Sequence, residues 1–372
     1  MVLLTAPLDD HAGAEPVEDV ARRFDGHNFE APFLLAAAPL GPGLLALLRN
    51  SLTPRPIRQS IALWHYLRHG GVFTDWWGGA DQYLPLLAER FHPDIIWASF
   101  GNTDCWNIAR SLSATAGCPW AADIKDFWST FIASPLRRHL AGRYRDAATF
   151  TALSSTHAAD AAPWFGSAVE TIYSGIDSGW LGREPCNSTA PSFSLTGTVG
   201  GGTQLEELKL AVKSWLETLP TADAGKLEFV YSGNDTALVN EVFSEIRSLC
   251  RVTVNGYVSL EMLRDIQTSS FANLYIKSDR TFHHKIFELL TAGRPAICYP
   301  EEGAEAKSLA AEIGATLHSA GNGKAVAAAL GESLKRYPGI SVDREAATTF
   351  TWDSQAEKLE ALLLKTIRGE SV

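Results

Sequence analysis

Apolar and polar positions along this chain follow two rhythms, and the rhythms take turns. Short apolar runs such as MVLLTA at the start, PDIIWASF (93–100), CPWAADI (118–124) and RDAATFTALSS have the length and continuity of buried strands. Between them come apolar residues at helical spacing. EPVEDVARRF carries acids early and Arg22 and Arg23 late, as the helix dipole favours. IRQSIALWHYLRHG (57–70) ends on Gly70, and CWNIARSLSAT follows the second strand. AVETIYSGID gives one more strand before the rhythm stops. REPCNSTAPS (183–192) is rich in turn formers, has no period, and reads as a linker. The alternation then restarts with strands FSLTGTV, LEFVYSG (227–233), RVTVNGYV (251–258), ANLYI (272–276), PAICYP and ATLHSA. Helices are expected between and after them at 204–218, 235–248, 259–268, 284–292, 304–313 and 324–336.

Continuous apolar strands alternating with helices imply parallel sheets covered on both faces. The expected fold is α/β, with two facing Rossmann-like, doubly wound parallel-sheet domains. The first spans 1–182, the linker 183–192 and the second 193–350. Residues 351–372, with the helix DSQAEKLEALLLKTIR (353–368), are expected to cross back to the first domain. A length of 372 residues suits two cores rather than one. Such domains bind ligands outside the carboxyl ends of their strands, here expected to face a common cleft.

Charge and composition narrow the class. The formal charge of −10 is shared evenly by the two halves, so neither offers the basic field of a nucleic-acid binder. Cys105, Cys118, Cys186, Cys250 and Cys298 are scattered and never at metal-ligand spacing, which fits reduced thiols in a cytoplasmic protein. MVLLTAPLDD has no basic n-region and no cleavage site, and does not read as a signal peptide. APFLLAAAPLGPGLLALL (31–48) has nearly the length of a membrane span. However, Pro32, Pro39 and Pro42 with Gly41 and Gly43 would break a spanning helix, leaving a short buried or interfacial helix at 43–49.

The chemistry concentrates in FHHKIFELLTAGRPAICYP (282–300). On a helix His284, Lys285 and Glu288 share one face of the first turn, and Gly293 with Pro295 ends the helix and launches a strand. A lysine at a helix start suits a phosphate, and a carboxylate one turn on can accept from vicinal hydroxyls such as those of a ribose. Solvated surface charge is the alternative for this fragment alone. TVGGGT lacks the spacing of a dinucleotide fingerprint, which sets an NAD site aside.

KIFELLTAGRPAIC resembles the donor-site signature of glycosyltransferase family 4, enzymes of the B-type fold, whose members commonly read Lys-x-x-Glu-Tyr/Leu-Leu-Ala-x-Gly-x-Pro-Val. FSLTGTVGG, FVYSG, VTVNGYVSLEMLRDI, TALSSTHAADA with VETIYSGID, and FTWDSQAEKLEALL resemble other family segments in the same order, from about 93 to 365. The resemblance implies transfer of a sugar from a nucleoside diphosphate to an acceptor hydroxyl, with retention at the anomeric carbon and no metal or other cofactor. It implies Glu288 on the donor ribose, Lys285 and His284 at the diphosphate, Gly256 and Val258 at the base, and backbone approach at Gly197 and Gly201. Gly13, in HAGAEP, stands where relatives carry a Gly-Gly loop near the donor phosphates. Two departures stand out. The family motif has a second glutamate eight positions before Glu288, where this chain has Arg280. The first glycine turn of the second domain is followed by the acidic stretch GGTQLEELK instead of early Arg and Lys. Arg280 is therefore expected to join Lys285 in neutralising the diphosphate. An epimerase-type enzyme on the same fold and a non-catalytic nucleotide-sugar binder are the alternatives.

For the acceptor side, Asp123 or Asp126 in DIKDFW is expected to position a hydroxyl, Asp126 as a catalytic group. Asn102 in WASFGNTD and Trp76 in FTDWWGGADQY are the other acceptor candidates, the latter able to stack on a sugar or to lie in the core. The acceptor is a glycan, a lipid-linked molecule or a small molecule. FWSTFIASPLRRHLAGRYR (127–145) combines aromatics with Arg137, Arg138, Arg143 and Arg145, and is either a solvated helix face or a peripheral contact with the inner membrane surface.

Overall fold

The structure, a computed structural model, describes residues 1–7, 14–41, 43–166, 168–181, 190–199, 201–277, 282–339 and 342–370. It divides into two compact units, one of Met1–Ile172 with Lys358–Val372 and the other of Tyr173–Glu357. The terminal helix Trp352–Ile367 contributes residues to both. Most of the expected linker, 183–189, lies outside the described residues.

In the first unit, β1 (Val2–Thr5) pairs in parallel with β2 (Phe33–Ala36). A second, four-stranded parallel sheet runs in sequence order through β3 (Ile96–Phe100), β4 (Trp120–Ile124), β5 (Thr149–Ala152) and β6 (Val169–Thr171). Its helices bury a dense aromatic core in which Trp106 stacks on Trp128 at 5.7 Å. β2 is an element that the apolar run 31–48 concealed. Its burial alternates, with Phe33 and Leu35 inside and Leu34 outside, so it is a half-buried strand. The rest of that run contains the short helix Leu45–Arg49. Among the described residues, no helix is long and apolar enough to cross a membrane. The aromatic stretch around Trp76 also folds as a helix, Thr74–Asp81.

The second unit is a six-stranded, wholly parallel sheet. Its strands are β7 (Ser192–Thr196), β8 (Glu228–Ser232), β9 (Arg251–Asn255), β10 (Ser270–Ile276), β11 (Ala296–Tyr299) and β12 (Leu317–Ser319), in the spatial order β9-β8-β7-β10-β11-β12. Numbered within the unit this is 3-2-1-4-5-6, the Rossmann order. Burial follows position. Every residue of the central strands β7 and β10 is buried, whereas the edge strands β9 and β12 are only partly so. One face is covered by Leu205, Leu208, Val212 and Trp215 of the helix Gly202–Glu217, the other by Ile286, Phe287 and Leu290 of the helix Lys285–Thr291. Gly293, in the left-handed conformation at φ 71°, closes the latter as expected.

Phe229 of β8 stacks on Phe243 at 4.1 Å, both fully buried. Phe243→Ala is expected to destabilise the second unit by about 3–5 kcal/mol, read as a lowered midpoint in urea unfolding followed by tryptophan fluorescence.

Candidate functional site

The strand order of the second unit reverses between β7 and β10, and the carboxyl ends of these strands define its topological switch point. Buried polar groups tie the two strands together just below it. Ser194 Oγ donates to Asn273 Oδ1 at 2.6 Å, Asn273 donates to the Gln267 carbonyl, and Gln267 Nε2 donates to Thr196 Oγ1 at 3.2 Å.

Beyond Thr196 the chain turns at Gly197, whose φ of +80° favours glycine. The turn is pinned from both sides. Gly197 N–H donates to the Ser232 carbonyl at 2.7 Å, and the Tyr231 hydroxyl donates to the Gly197 carbonyl at 2.9 Å. Val199 N–H donates to Asp235 at 2.9 Å. The helix Gly202–Glu217 then starts at Gly201 without a side-chain cap, so its first N–H groups face no capping side chain. Gly201 itself is extended, at φ 166°, and nothing lies within 4 Å of where a Cβ would stand.

Across the switch point, Lys285 opens the helix that follows β10. A Cβ at Gly197 would stand 2.7 Å from Lys285 Nζ, so the absent side chain is what lets the ammonium lie against the turn. Lys285 is half-buried, its Nζ is 5.7 Å from the centre of the Tyr275 ring, and among the described residues it forms no ion pair. Burial pulls its pKa down to about 8, against the opposing pull of Glu288. Glu288, also half-buried, is pushed up by burial while Lys285 works the other way. His284 is exposed and its ring stacks on His283 at 4.7 Å. The expected trio thus shares one turn, with the amine and the carboxylate turned inward and the imidazole outward.

Gly256 and Val258 lie on the turn after the edge strand β9, at the same end of the sheet. No atom lies within 4 Å of a Cβ built at Gly256, and the intervening Tyr257 is 88% exposed. Gly13 and Arg280 fall outside the described residues.

One pair at the switch point escaped the sequence reading. Lys277, the residue after β10, forms a buried ion pair with Glu302 at 3.0 Å, and Glu302 also accepts from Gly303 N–H at 2.8 Å. Their only sequence signal is that each follows a strand end. Burial raises the thiols of Cys105, Cys118, Cys250 and Cys298 above their ordinary range, and Cys186 is outside the described residues.

In the first unit the candidates separate. Asp123, expected to meet an acceptor hydroxyl, is fully buried within β4. It is in register with Ser99 and Thr151 on the flanking strands and accepts from both hydroxyls, at 3.0 and 2.7 Å, with Lys125 Nζ at 3.3 Å. These contacts make it a group that joins three strands. Trp76 is buried in the core and offers no open face for stacking. Asn102 caps the helix Thr103–Ala116 by accepting from Asp104 N–H at 2.9 Å. Asp126 stays half-buried on the loop after β4, beside Phe127, whose ring packs on the buried His157 at 4.3 Å. A cavity of about 460 Å³ lined by Trp77, Arg110, Trp120 and Arg143 lies at the amino end of β4, the end opposite Asp126. In the 127–145 segment, Trp128, Leu136, Leu140 and Tyr144 go into the core, and Arg137 donates to the backbone carbonyls of Ile132 and Ser129.

Two stability effects follow from these environments. Lys277→Met alone should cost about 3–5 kcal/mol because it strands the buried Glu302, while Lys277→Met combined with Glu302→Leu should recover most of that loss in urea unfolding. Lys285 is depressed from 10.5 to about 8, so its charged form opposes folding below pH 8, and this opposition fades as pH rises towards 10.5. Lys285→Met should therefore raise the unfolding midpoint at pH 7 and lose that advantage by about pH 10.5.

No family model and no curated protein sequence matches the chain. Solved structures do. Anabaena Alr3699/HepE, in complex with UDP and glucose, matches with a TM-score of 0.60 at 15% identity over 98% of this chain and 100% of that one. A glycosyltransferase from Rickettsia africae matches with a TM-score of 0.62 at 13% identity, over 100% and 99% of the two chains. A UDP-forming α,α-trehalose-phosphate synthase from Burkholderia xenovorans matches at 0.57 and 10% identity, over 99% and 98%. At such identities the likeness speaks to architecture, and with the two parallel-sheet units above it establishes the fold. The chain has the B-type glycosyltransferase fold, built of two Rossmann-like domains.

Proposed function

We propose that this chain is a glycosyltransferase, similar to family 4, which moves a sugar from a nucleoside diphosphate to an acceptor hydroxyl with retention. The observation that carries the reading is the meeting of the Gly197 turn with a half-buried Lys285 that has no ion-pair partner among the described residues, at the switch point of a 3-2-1-4-5-6 sheet. A diphosphate there would receive backbone N–H groups from the uncapped helix start and an ammonium in low dielectric. Glu288, one turn on, is assigned the ribose hydroxyls, and the exposed Gly256–Val258 turn the base. Arg280, five positions before Lys285, is assigned the second cation on sequence grounds. That a structural neighbour was solved with UDP and glucose supports a nucleotide-sugar donor.

In the proposed step, the acceptor oxygen bonds to the anomeric carbon as the bond to the diphosphate oxygen breaks on the same face. The acceptor proton passes to the departing diphosphate. Negative charge grows on that leaving group, and a preorganised Lys285 stabilises it most where water is excluded. Asp126 is assigned the orientation of the acceptor hydroxyl. Neutralisation by Lys285 and Arg280 is proposed to make the reaction independent of a metal.

Calorimetric titration with nucleoside diphosphates, UDP first, tests the donor site. Lys285→Ala should weaken binding about ten- to a hundredfold. Wild-type affinity should fall as pH rises above about 8, where the free amine loses its proton, and Lys285→Ala should flatten that dependence. EDTA should leave binding and transfer unchanged, and the product should keep the donor's anomeric configuration by NMR. Absence of binding to any nucleoside diphosphate, or a Lys285→Ala variant that binds as tightly as wild type, would overturn the reading. Binding without transfer to a broad acceptor pool would instead favour a non-catalytic nucleotide-sugar binder.

A further inference from the structure

The helix Arg55–His69 of the first unit is placed unusually for its composition. Eight of its 15 residues are apolar or aromatic, yet only His65 is buried. Ile57, Leu63, Trp64 and Leu67 are each 47–49% exposed. At 100° per residue they fall within about a third of the helix circumference, so they form one stripe. The neighbouring short helix continues the apolar surface. Leu47 is 45% exposed and Leu52, just beyond it, 88%. Arg58 Nε donates to the Leu48 carbonyl at 3.0 Å and holds the two helices side by side.

The charge within this stretch of the sequence has one sign. Residues 31–74 contain four arginines and neither Asp nor Glu, in a protein whose formal charge is −10. Arg49 is neutralised by Asp75 at 2.6 Å, whereas among the described residues Arg55, Arg58 and Arg68 form no ion pair. Arg68 lies next to Trp64 and Ile57 around the helix, on the border of the apolar stripe. Monomeric proteins rarely leave contiguous apolar patches of this kind uncovered.

We propose that the helices Leu45–Arg49 and Arg55–His69 form an interfacial docking surface that seats the first unit on an anionic lipid bilayer. Apolar side chains with a tryptophan enter the boundary between headgroups and acyl chains, and the flanking arginines meet the lipid phosphates. The charge pattern selects this occupant. In a symmetric pairing of two copies, arginine would face arginine with no acid in the segment to compensate. A lipid surface carrying negative charge supplies the missing counter-charge. The helix Arg55–His69 packs against the helix Ser134–Arg143 of the 127–145 segment, but most aromatic and aliphatic side chains of that segment belong to the core, so the exposed apolar stripe is the helix's own.

Vesicle co-sedimentation of the full chain tests this. The protein should pellet with phosphatidylcholine–phosphatidylglycerol vesicles and stay in solution with phosphatidylcholine alone, and added salt should release it. Arg58→Ala with Arg68→Ala should weaken binding on the order of tenfold. Leu63→Ser with Leu67→Ser should weaken it comparably without moving the unfolding midpoint much, because these side chains are exposed, and Arg68→Ala alone, which leaves the Arg58 bond to the Leu48 carbonyl intact, should weaken it in the same direction. The proposal fails if anionic vesicles leave the protein in solution or if these variants bind as wild type does. It fails equally if Arg138→Ala with Arg145→Ala abolishes binding while the helix variants do not. Concentration-dependent self-association that Leu63→Ser with Leu67→Ser removes would assign the face to a second copy instead.

Discussion

The close approach of Lys285 to the Gly197 turn is the contact on which the functional reading of the second unit rests. Two long excursions of chain meet there, one leaving β7 and the other leaving β10, because the sheet order places those strands side by side. Neither partner can be exchanged freely. A Cβ at Gly197 would occupy the place of the ammonium, and φ of +80° would strain most side chains whatever the space. The turn is held in turn by Tyr231, Ser232 and Asp235, so the residues that position the amine reach back into β8 and the loop after it.

What could be read along the chain was local. Strand lengths, helix periods, the glycine that ends the helix Lys285–Thr291 and the three-residue spacing of Lys285 and Glu288 all follow from neighbours within one or two turns. What could not be read depends on sheet order and register. Asp123 ends an apolar strand, as a cleft carboxylate should, yet parallel pairing sets it level with Ser99 and Thr151, whose hydroxyls absorb it. Lys277 and Glu302 are far apart in sequence and meet because both follow strands that pair directly, β10 and β11. The run 31–48 was ambiguous for another reason. Apolar residues without polar punctuation fit a strand or a helix equally, and only the alternating burial of Phe33, Leu34 and Leu35 shows the strand.

Under the proposed reading, Arg280 stands at the sequence position where the family that this chain resembles carries a glutamate, and the turn after β7 is not followed by early cations. Burial already raises the pKa of Glu288, so a cation in the sequence in place of a second carboxylate is the change that favours an anionic ligand over further like charge.

Lys285 itself bears a cost that packing does not explain. A shift from 10.5 to about 8 corresponds to on the order of 3 kcal/mol against the charged form. Glu288 is one turn away, and pairing the two would relieve part of that cost, yet the structure holds them without an ion pair. Elsewhere in the second unit the buried Lys277 is given a carboxylate, Glu302, at 3.0 Å. Two lysines follow the same strand β10, one ion-paired and one, among the described residues, not. In the proposed reading, a desolvated ammonium held against a backbone turn, with Glu288 near but no direct ion pair among the described residues, is destabilising until an anion binds, and low dielectric then makes its charge most effective.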